Sequence, residues 1–587
     1  MFKQYNNNQT TLSIPLEIKV NDQHVVRIIS LFVDSIPDDL IPQRVNAQRG
    51  QRPYDPRLLL KMLLFGYLRN VTSASKLREM AEENIPMKWL IGDPDVTPSA
   101  RTINRFRSSN TAATLIKQMF LHFRFMLQQL NLITDEALFI DGTKILADAN
   151  KYSFVWRASV ERYEPILDQK ANELFDELIQ NNINLNVDAD DPDILNKIKS
   201  AASQLEQKVT ELTTAIDSEA VKPGGSPNKR LRRKYKHYLH TLKKDLIPRK
   251  TKYVEARHLF DERNSFSKTD HDATFMRMKE DPMMNGQLKP GYNVQIGTQC
   301  QYVLYYYVCQ RPTDQRTLVP FLEQVDHHFN YIVADAGYGS EPNYDYVIDE
   351  YKGIPLIPYT MYLKELSRKY RKDMSKRQNW LYEKTLDRYT DDHGVQFEKH
   401  RDYYRTDKYG TTRHFVEYTA VNADTPELYY YANTDGGNLR RISVNPHWED
   451  LKNSVKSNLS ADKTASIFAK RKFEVEPVFG NIKTNMNFMR FSVRGKRATN
   501  NEMGLVFMAA NLKKLTKSLL NNDNLLVKFE RFMALYLCTQ KIDLAGKKKK
   551  DRTFPKKIEC SIVFIFRSAI MAEPHAIIVL LLIRIVG

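Results

Sequence analysis

Two short apolar runs, far apart in the chain, each finish in an aspartate: Leu138-Phe139-Ile140-Asp141 and Tyr331-Ile332-Val333-Ala334-Asp335. Runs of this length, rich in β-branched and aromatic residues, read as buried strands. Open α/β sheets carry their chemistry at strand ends, so the pattern predicts two neighbouring strands that bring Asp141 and Asp335 to one edge. Between them come a long insertion and two further strands, Tyr292 to Ile296 and Tyr302 to Val308. A helix follows, with Thr313 and Asp314 as expected caps and Leu318, Phe321, Leu322 and Val325 on its apolar side. The fold class is α/β.

The flanking segments have other periods. Asp55-Pro56 is a helix start, with Asp as cap and Pro at the first position, and the run Leu58 to Leu64 continues it. Helices are also expected at Ser75 to Glu83 and from Thr97-Pro98 onward. Arg101 and Arg105 on the last of these are four apart and share a face, as the reading helix of a helix-turn-helix would need. A bundle with a solvated basic face fits the same residues. Leu195, Ile198, Ala202, Leu205, Val209, Leu212 and Ile216 step by three and four, a heptad seam. Pro223-Gly224-Gly225-Ser226-Pro227 breaks it, and a second arm through Leu231, Tyr235, Tyr238 and Leu242 predicts an antiparallel helical hairpin. That arm carries Arg232 and Arg233 in a dense basic stretch suited to phosphate. Residues 355 to 450 hold short Tyr- and Thr-rich runs, such as Phe415 to Val421 and Leu428 to Tyr431, and read as β-rich.

A chain of 587 residues exceeds one ordinary core. Its net charge of +18 and pI near 9.3 favour a polyanionic partner, DNA before a membrane surface. Ala576 to Ile583 is too short to span a bilayer, and no secretory signal opens the chain, so a cytoplasmic protein without membrane partners is expected. Cys300, Cys309, Cys538 and Cys560 are too scattered for a disulfide framework or a structural zinc, and are expected to be buried thiols. Trp156, Trp380 and Trp448 are expected to anchor cores. Asp270-His271-Asp272 and His327-His328 are assigned no chemistry.

Carboxylates at adjacent strand ends suit oxygen-seeking Mg²⁺. Two such ions, roughly 3.5 to 4 Å apart, clamp the attacking and leaving oxygens of an in-line phosphoryl displacement. A third carboxylate must arrive from elsewhere. Glu476 is the candidate, with Lys483 seven residues on and on the same helical face. Glu474 competes with it.

Phe139-Ile140-Asp141-Gly142-Thr143-Lys144-Ile145, Asn150-Lys151-Tyr152, Met283-Met284-Asn285-Gly286-Gln287-Leu288-Lys289-Pro290-Gly291-Tyr292-Asn293-Val294-Gln295, Ala334-Asp335-Ala336-Gly337-Tyr338-Gly339-Ser340 and Val475-Glu476-Pro477-Val478-Phe479-Gly480 occur in one order. Together they resemble bacterial insertion-sequence transposases of the DDE class, from about residue 40 to residue 520. The resemblance implies an RNase H-like core with Asp141, Asp335 and Glu476 as catalytic, metal-binding carboxylates for two Mg²⁺, with Mn²⁺ as substitute. It implies that Lys483 and a basic residue before the glutamate, Arg471 or Lys472, meet DNA, although Phe468 stands where the family signature has tyrosine. It also implies double-stranded DNA as partner and a homodimer on two DNA ends.

The resulting organisation is an N-terminal helical DNA-binding domain (1–130) and a first core segment (131–165), then the coiled-coil insertion (166–262) and a second core segment (263–354). A β-rich insertion (355–460), helices carrying the glutamate (461–522) and an atypical tail (523–587) complete it. The expected function is cleavage and strand transfer at terminal inverted repeats. The rival is a decayed, catalytically inactive DNA-binding descendant, to which the tail would point.

Overall fold

The computed structural model describes residues 20–41, 54–92, 97–183, 185–186, 191–219, 226–279, 284–421 and 426–549, with side chains as far as residue 537. The Gly224-Gly225 break, the side chain of Cys538, Cys560 and the apolar end of the tail lie outside the described residues.

Six helices come first: α1 (Val25–Asp34), α2 (Pro56–Leu68), α3 (Ala74–Glu83), α4 (Ile85–Ile91), α5 (Ala100–Arg107) and α6 (Asn110–Gln129). Asp55 caps α2 by accepting from the Arg57 N–H, with Pro56 at its first position, and Ser99 and Ser109 cap α5 and α6 in the same way. Strands β1 (Ala137–Leu146) and β2 (Phe154–Trp156) follow. The first insertion holds α7 (Arg157–Gln180), α8 (Ile194–Asp217), α9 (Pro227–Thr241) and α10 (Ile247–Phe260). Then come β3 (Ser265–Ser267), β4 (Thr274–Arg277), β5 (Leu288–Gln299), β6 (Tyr302–Cys309), α11 (Leu318–Leu322), β7 (Tyr331–Val333), α12 (Glu341–Asp345) and β8 (Ile354–Leu356).

In the second insertion, the short helices α13 (Tyr362–Leu366) and α14 (Arg368–Arg371) precede β9 (Leu381–Glu383), β10 (Arg388–Thr390), β11 (Gln396–Thr406) and β12 (Thr412–Ala420). A single turn, α15 (Tyr429–Ala432), and β13 (Arg441–Val444) close a five-stranded sheet, β13-β12-β11-β10-β9. The Leu428 to Tyr431 run, expected as β, is therefore helical. The last described elements are α16 (Pro446–Ser460), α17 (Asp462–Ala469), α18 (Arg471–Gly480), α19 (Lys496–Leu520) and α20 (Asp523–Lys549).

The main sheet runs β4-β5-β1-β7-β8, with β6 also on β5. β1 is antiparallel to β5 and parallel to β7, and β7 is parallel to β8. It is thus a mixed sheet with β1 near its centre. The N-terminal helices and α19 form one continuous apolar core with it, through residues such as Phe65, Phe123, Ile140, Val294 and Phe507. Glu502 of α19 is fully buried there and ties the layers together. It accepts from the Tyr67 hydroxyl at 3.0 Å, the Arg107 guanidinium at 3.4 Å and the Ser492 N–H at 2.8 Å.

The heptad residues Leu195, Ile198, Ala202 and Leu205 pack instead against Leu167 and Leu178 of α7 and Tyr235 and Tyr238 of α9. An intrachain bundle thus consumes most of the seam. Cys309 is buried, but Cys300 is exposed at the β5–β6 turn with φ of 49°, against the expectation of buried thiols. Trp156, Trp380 and Trp448 lie against Phe275, Phe397 and Tyr344 in packed aromatic groups.

His122 of α6 lies between Phe32 and Tyr536 and shares a 2.7 Å hydrogen bond with Ser35. Burial pushes its imidazole down to about 4. An imidazole depressed in the folded state contributes stability above its unfolded value near 6.5, and that contribution is lost as pH falls through 6.5 toward 4. The loss amounts to about 3 kcal/mol. Thermal unfolding followed from pH 7 to pH 4.5 is therefore expected to show a steeper fall in Tm for the wild type than for His122→Phe; parallel falls would refute the assignment.

Candidate active site

Phe139 pairs with Val333 across the parallel β1–β7 ladder, and the aspartates follow two residues later on each segment. Asp141 and Asp335 therefore leave the sheet side by side. Asp141 is not at a strand end as expected: β5 pairs with β1 as far as Leu146, and only β7 stops at Val333. Asp141 is 9% exposed, and its Oδ1 accepts from the Gly142 N–H at 2.7 Å while Oδ2 has no protein partner among the described residues. Burial pushes its carboxyl up to about 6, and Asp335 adds to the rise, against the pull of Lys279, the Gly142 N–H and Arg471. Asp335 caps the turn Ala336–Tyr338 by accepting from the Gly337 N–H at 2.8 Å.

A polar network lies on the other face of β1. Asn293 and Gln295 of β5 are fully buried and point to the side of Gly142 and Lys144. Asp314 Oδ1 accepts from Asn293 Nδ2 at 2.7 Å and Gln295 Nε2 at 3.1 Å, and Gln295 Oε1 accepts from the Tyr338 hydroxyl. The Asp314 side chain thus braces the sheet rather than capping α11, which begins without a side-chain cap. Tyr338 is fully buried beside Asp314, Asp141 and Asp335, and burial first, then those charges, hold its phenol well above the usual range. The turn that carries Asp335 is pinned through this tyrosine, whose carbonyl also accepts from Asn343.

Helix α18 turns Val475 and Val478 onto the sheet. Glu474 and Glu476 fall on opposite flanks of that buried face. Glu474 accepts from the Gln301 N–H at 2.8 Å, and burial raises its carboxyl against the pull of that N–H, Lys514 and Lys470. It is engaged in packing the β5–β6 turn. Glu476 is exposed and makes no hydrogen bond or ion pair among the described residues. After Gly480 the helix continues as a π turn, Asn481–Asn485, of the kind that recurs at functional sites. The wider turn offsets Lys483 from the Glu476 face by several tens of degrees, so the expected shared face is only approximate.

Among the described residues, only Glu341, Asp345 and His447 place ligand atoms within 4.8 Å of one another, and Asp141, Asp335 and Glu476 are spread more widely. Glu341 is already engaged by Arg413 at 3.1 Å and Asn445 at 2.8 Å, and Asp345 by His447 at 2.7 Å. Arg101 and Arg105 are exposed on α5, and Arg233 is exposed on α9, whereas Arg232 is half-buried with its guanidinium at Thr213. None of these four is gathered around Asp141. Sequence reasoning missed Asn293, Gln295, Tyr338 and Lys279. The alternation in Tyr292-Asn293-Val294-Gln295-Ile296 was a signal, since it sets two amides on one face of a central strand.

Two family models match the chain: a Transposase DDE domain over residues 264–512, and a Transposase domain (DUF772) over residues 14–109. The first spans Asp335 and Glu476, and Asp141 lies between the two matched stretches. No curated protein and no solved structure matches the chain.

A Cβ at Gly142 would lie 2.4 Å from Gln295 Nε2 and 2.8 Å from Asp314 Oδ1. Both atoms are hydrogen-bonded, so neither yields freely. Gly142→Ala is expected to lower stability by about 1 to 3 kcal/mol through overpacking. A Tm equal to that of the wild type in thermal denaturation would show that the network relaxes at no cost.

Proposed function

Because this chain belongs to the insertion-sequence transposases of the DDE class, we propose that it cuts and joins DNA at the ends of a mobile element through Asp141, Asp335 and Glu476. The β1–β7 register that sets Asp141 beside Asp335 carries this reading. The sheet order β6-β5-β1-β7-β8, with only β5 antiparallel to both of its principal neighbours, supports an RNase H-like core.

The residues fit divalent cations: hard oxygen donors, with one oxygen on each aspartate lacking a hydrogen-bond partner among the described residues. Glu476 is supported by elimination as well as by its place in the motif. Glu476 is exposed on α18 and makes no hydrogen bond or ion pair among the described residues, whereas Glu474 is committed to Gln301. When bound, two Mg²⁺ supply Lewis acidity to the attacking and leaving oxygens.

Water attacks phosphorus at the element end, the P–O3′ bond breaks, and the 3′ oxygen leaves as a hydroxyl. That 3′-hydroxyl then attacks a target phosphodiester. A new P–O3′ bond forms, the target's own 3′ oxygen departs with a proton, and no covalent enzyme intermediate is needed. Arg471, at the start of α18 and within reach of the Asp141 charge, and Lys483, in the π turn that follows, are the residues we assign to the DNA backbone. Arg101 and Arg105 on α5, with Arg232 and Arg233 on α9, extend that contact to flanking duplex. We read the acting form as a homodimer on two ends, working in the cytoplasm at the nucleoid. No helix among the described residues is long and apolar enough to cross a membrane.

Purified protein with Mg²⁺ and duplex from the flanks of its own gene is expected to give nicked and joined products mapped to the nucleotide. Asp141→Asn, Asp335→Asn and Glu476→Gln are each expected to reduce cleavage by at least about 1,000-fold while DNA binding persists. Glu474→Gln is expected to retain cleavage and lower Tm. Loss of cleavage in Glu474→Gln with retention in Glu476→Gln would reverse the assignment, and DNA binding without any cleavage by the wild type would favour the non-catalytic rival.

A further inference from the structure

We propose that Lys279, a residue outside the carboxylate set, binds the attacked phosphodiester through a non-bridging oxygen. The inference rests on the nuclease reading above and adds a cation of the protein to that site.

Strand β1 has an open stretch of edge beside Asp141. On the side of β1 away from β5, the ladder with β7 ends at Phe139, and the next main-chain contact is Leu146 with the segment at Met489 to Phe491. Alternation along a strand places the carbonyls of Gly142 and Lys144 on the same edge as that of Leu146. Among the described residues no strand covers the Gly142 carbonyl there. The ammonium of Lys279 donates to it at 3.1 Å, and the ammonium of Lys144 donates to the carbonyl of Arg277 at 2.9 Å.

Lys279 thus lies beside Asp141, whose carboxyl it pulls down, and makes no ion pair among the described residues, while Lys144 and Arg277 lie close to it. Cations this close repel one another, and an anion placed among them relieves that repulsion. Burial lowers the Lys144 ammonium from its usual value against the pull of Asp314, and Lys279 and Arg277 add to that lowering. Lys279 is exposed, and its long stem lets the ammonium swing from a carbonyl to a ligand within the same few ångströms. The anion that belongs beside a metal-binding carboxylate pair is a phosphodiester, whose non-bridging oxygens gain negative charge as attack proceeds.

A role confined to satisfying the Gly142 carbonyl makes different predictions, which a split between metal binding and catalysis separates. Removing a nearby cation eases Mn²⁺ binding at Asp141, whereas removing a phosphate ligand slows cleavage. The full chain, its Lys279→Met and Lys279→Arg variants, Mn²⁺ alone and duplex from the gene's own flanks suffice. Lys279→Met is expected to cut about 100-fold more slowly at saturating DNA, with Mn²⁺ affinity by electron paramagnetic resonance unchanged or tighter. Lys279→Arg is expected to recover to within about tenfold of the wild type, since arginine keeps the charge. Cleavage by Lys279→Met at the wild-type rate, or loss of Mn²⁺ binding in parallel with cleavage, would overturn the proposal. A wild type that binds Mn²⁺ and DNA without cutting would overturn the nuclease reading instead, and this inference with it.

Discussion

β1 is held on both edges by segments distant in the chain: β5 along its length, β7 at its start and the Met489 to Phe491 strap at its end. Main-chain hydrogen bonds of this kind are specific in register, because a slip of one residue would reverse every side chain. Register here decides chemistry as well as packing. It sets Asp141 level with Asp335 on one face, and Gly142 level with Gln295 on the other. The gap between the β7 ladder and the strap is where the acidic side chains, the Ala336–Tyr338 turn and Lys279 converge. An unpaired stretch of central strand is costly in a packed sheet unless other groups satisfy it. The gap therefore marks a place where side chains have replaced a strand.

The strap is itself positioned by a buried charge. Glu502 receives the Ser492 N–H from the strap and Arg107 and Tyr67 from the N-terminal helices, so three parts of the chain meet on one carboxylate. Asn501 adds hydrogen bonds to the carbonyls of Arg107 and Ser109, and Arg490 and Arg494 pair with Asp148 just beyond β1. Removing one partner from such a group leaves an uncompensated buried charge, a cost of about 3 to 5 kcal/mol. The N-terminal helices are consequently part of the same packed body as the sheet, and the exposed Arg101 and Arg105 sit on a helix fixed to it.

Much of the fold was legible because its signals are local. The apolar runs before Asp141 and Asp335, the Asp55-Pro56 helix start and the heptad of α8 each express a periodicity or a cap within a few residues. What stayed hidden depends on partners far away. The continuation of β1 past Asp141 comes from pairing with β5, and Asp314 looked like a cap because its true partners, Asn293 and Gln295, lie on a separate strand. Leu428 to Tyr431 has strand-like composition but forms one helical turn, since its aromatic content does not dictate backbone geometry outside a ladder. The π turn after Gly480 left no mark that periodicity could register. Of the site, the aspartates were visible as strand-associated residues, while Glu476 depended on motif likeness and Lys279 on tertiary proximity alone.

The second insertion is anchored beside the same site. Arg413, near the start of β12, pairs with Glu341 at 3.1 Å and with Asp407 at 2.9 Å, and Asn445 reaches Glu341 from the far side. At the tip of the β11–β12 hairpin, Tyr409 lies 3.6 Å beneath the guanidinium of Arg316, two residues from Asp314. Glu341 follows Ser340, so these contacts bear on the segment that leaves the Asp335 turn. Single exposed ion pairs contribute little, but here an ion pair and an amide hydrogen bond meet on one half-buried carboxylate, where screening is weaker. The hairpin is thereby fixed against the segment that leaves the Asp335 turn and against Arg316 beside Asp314, so the second insertion borders the strand edge that carries the aspartates.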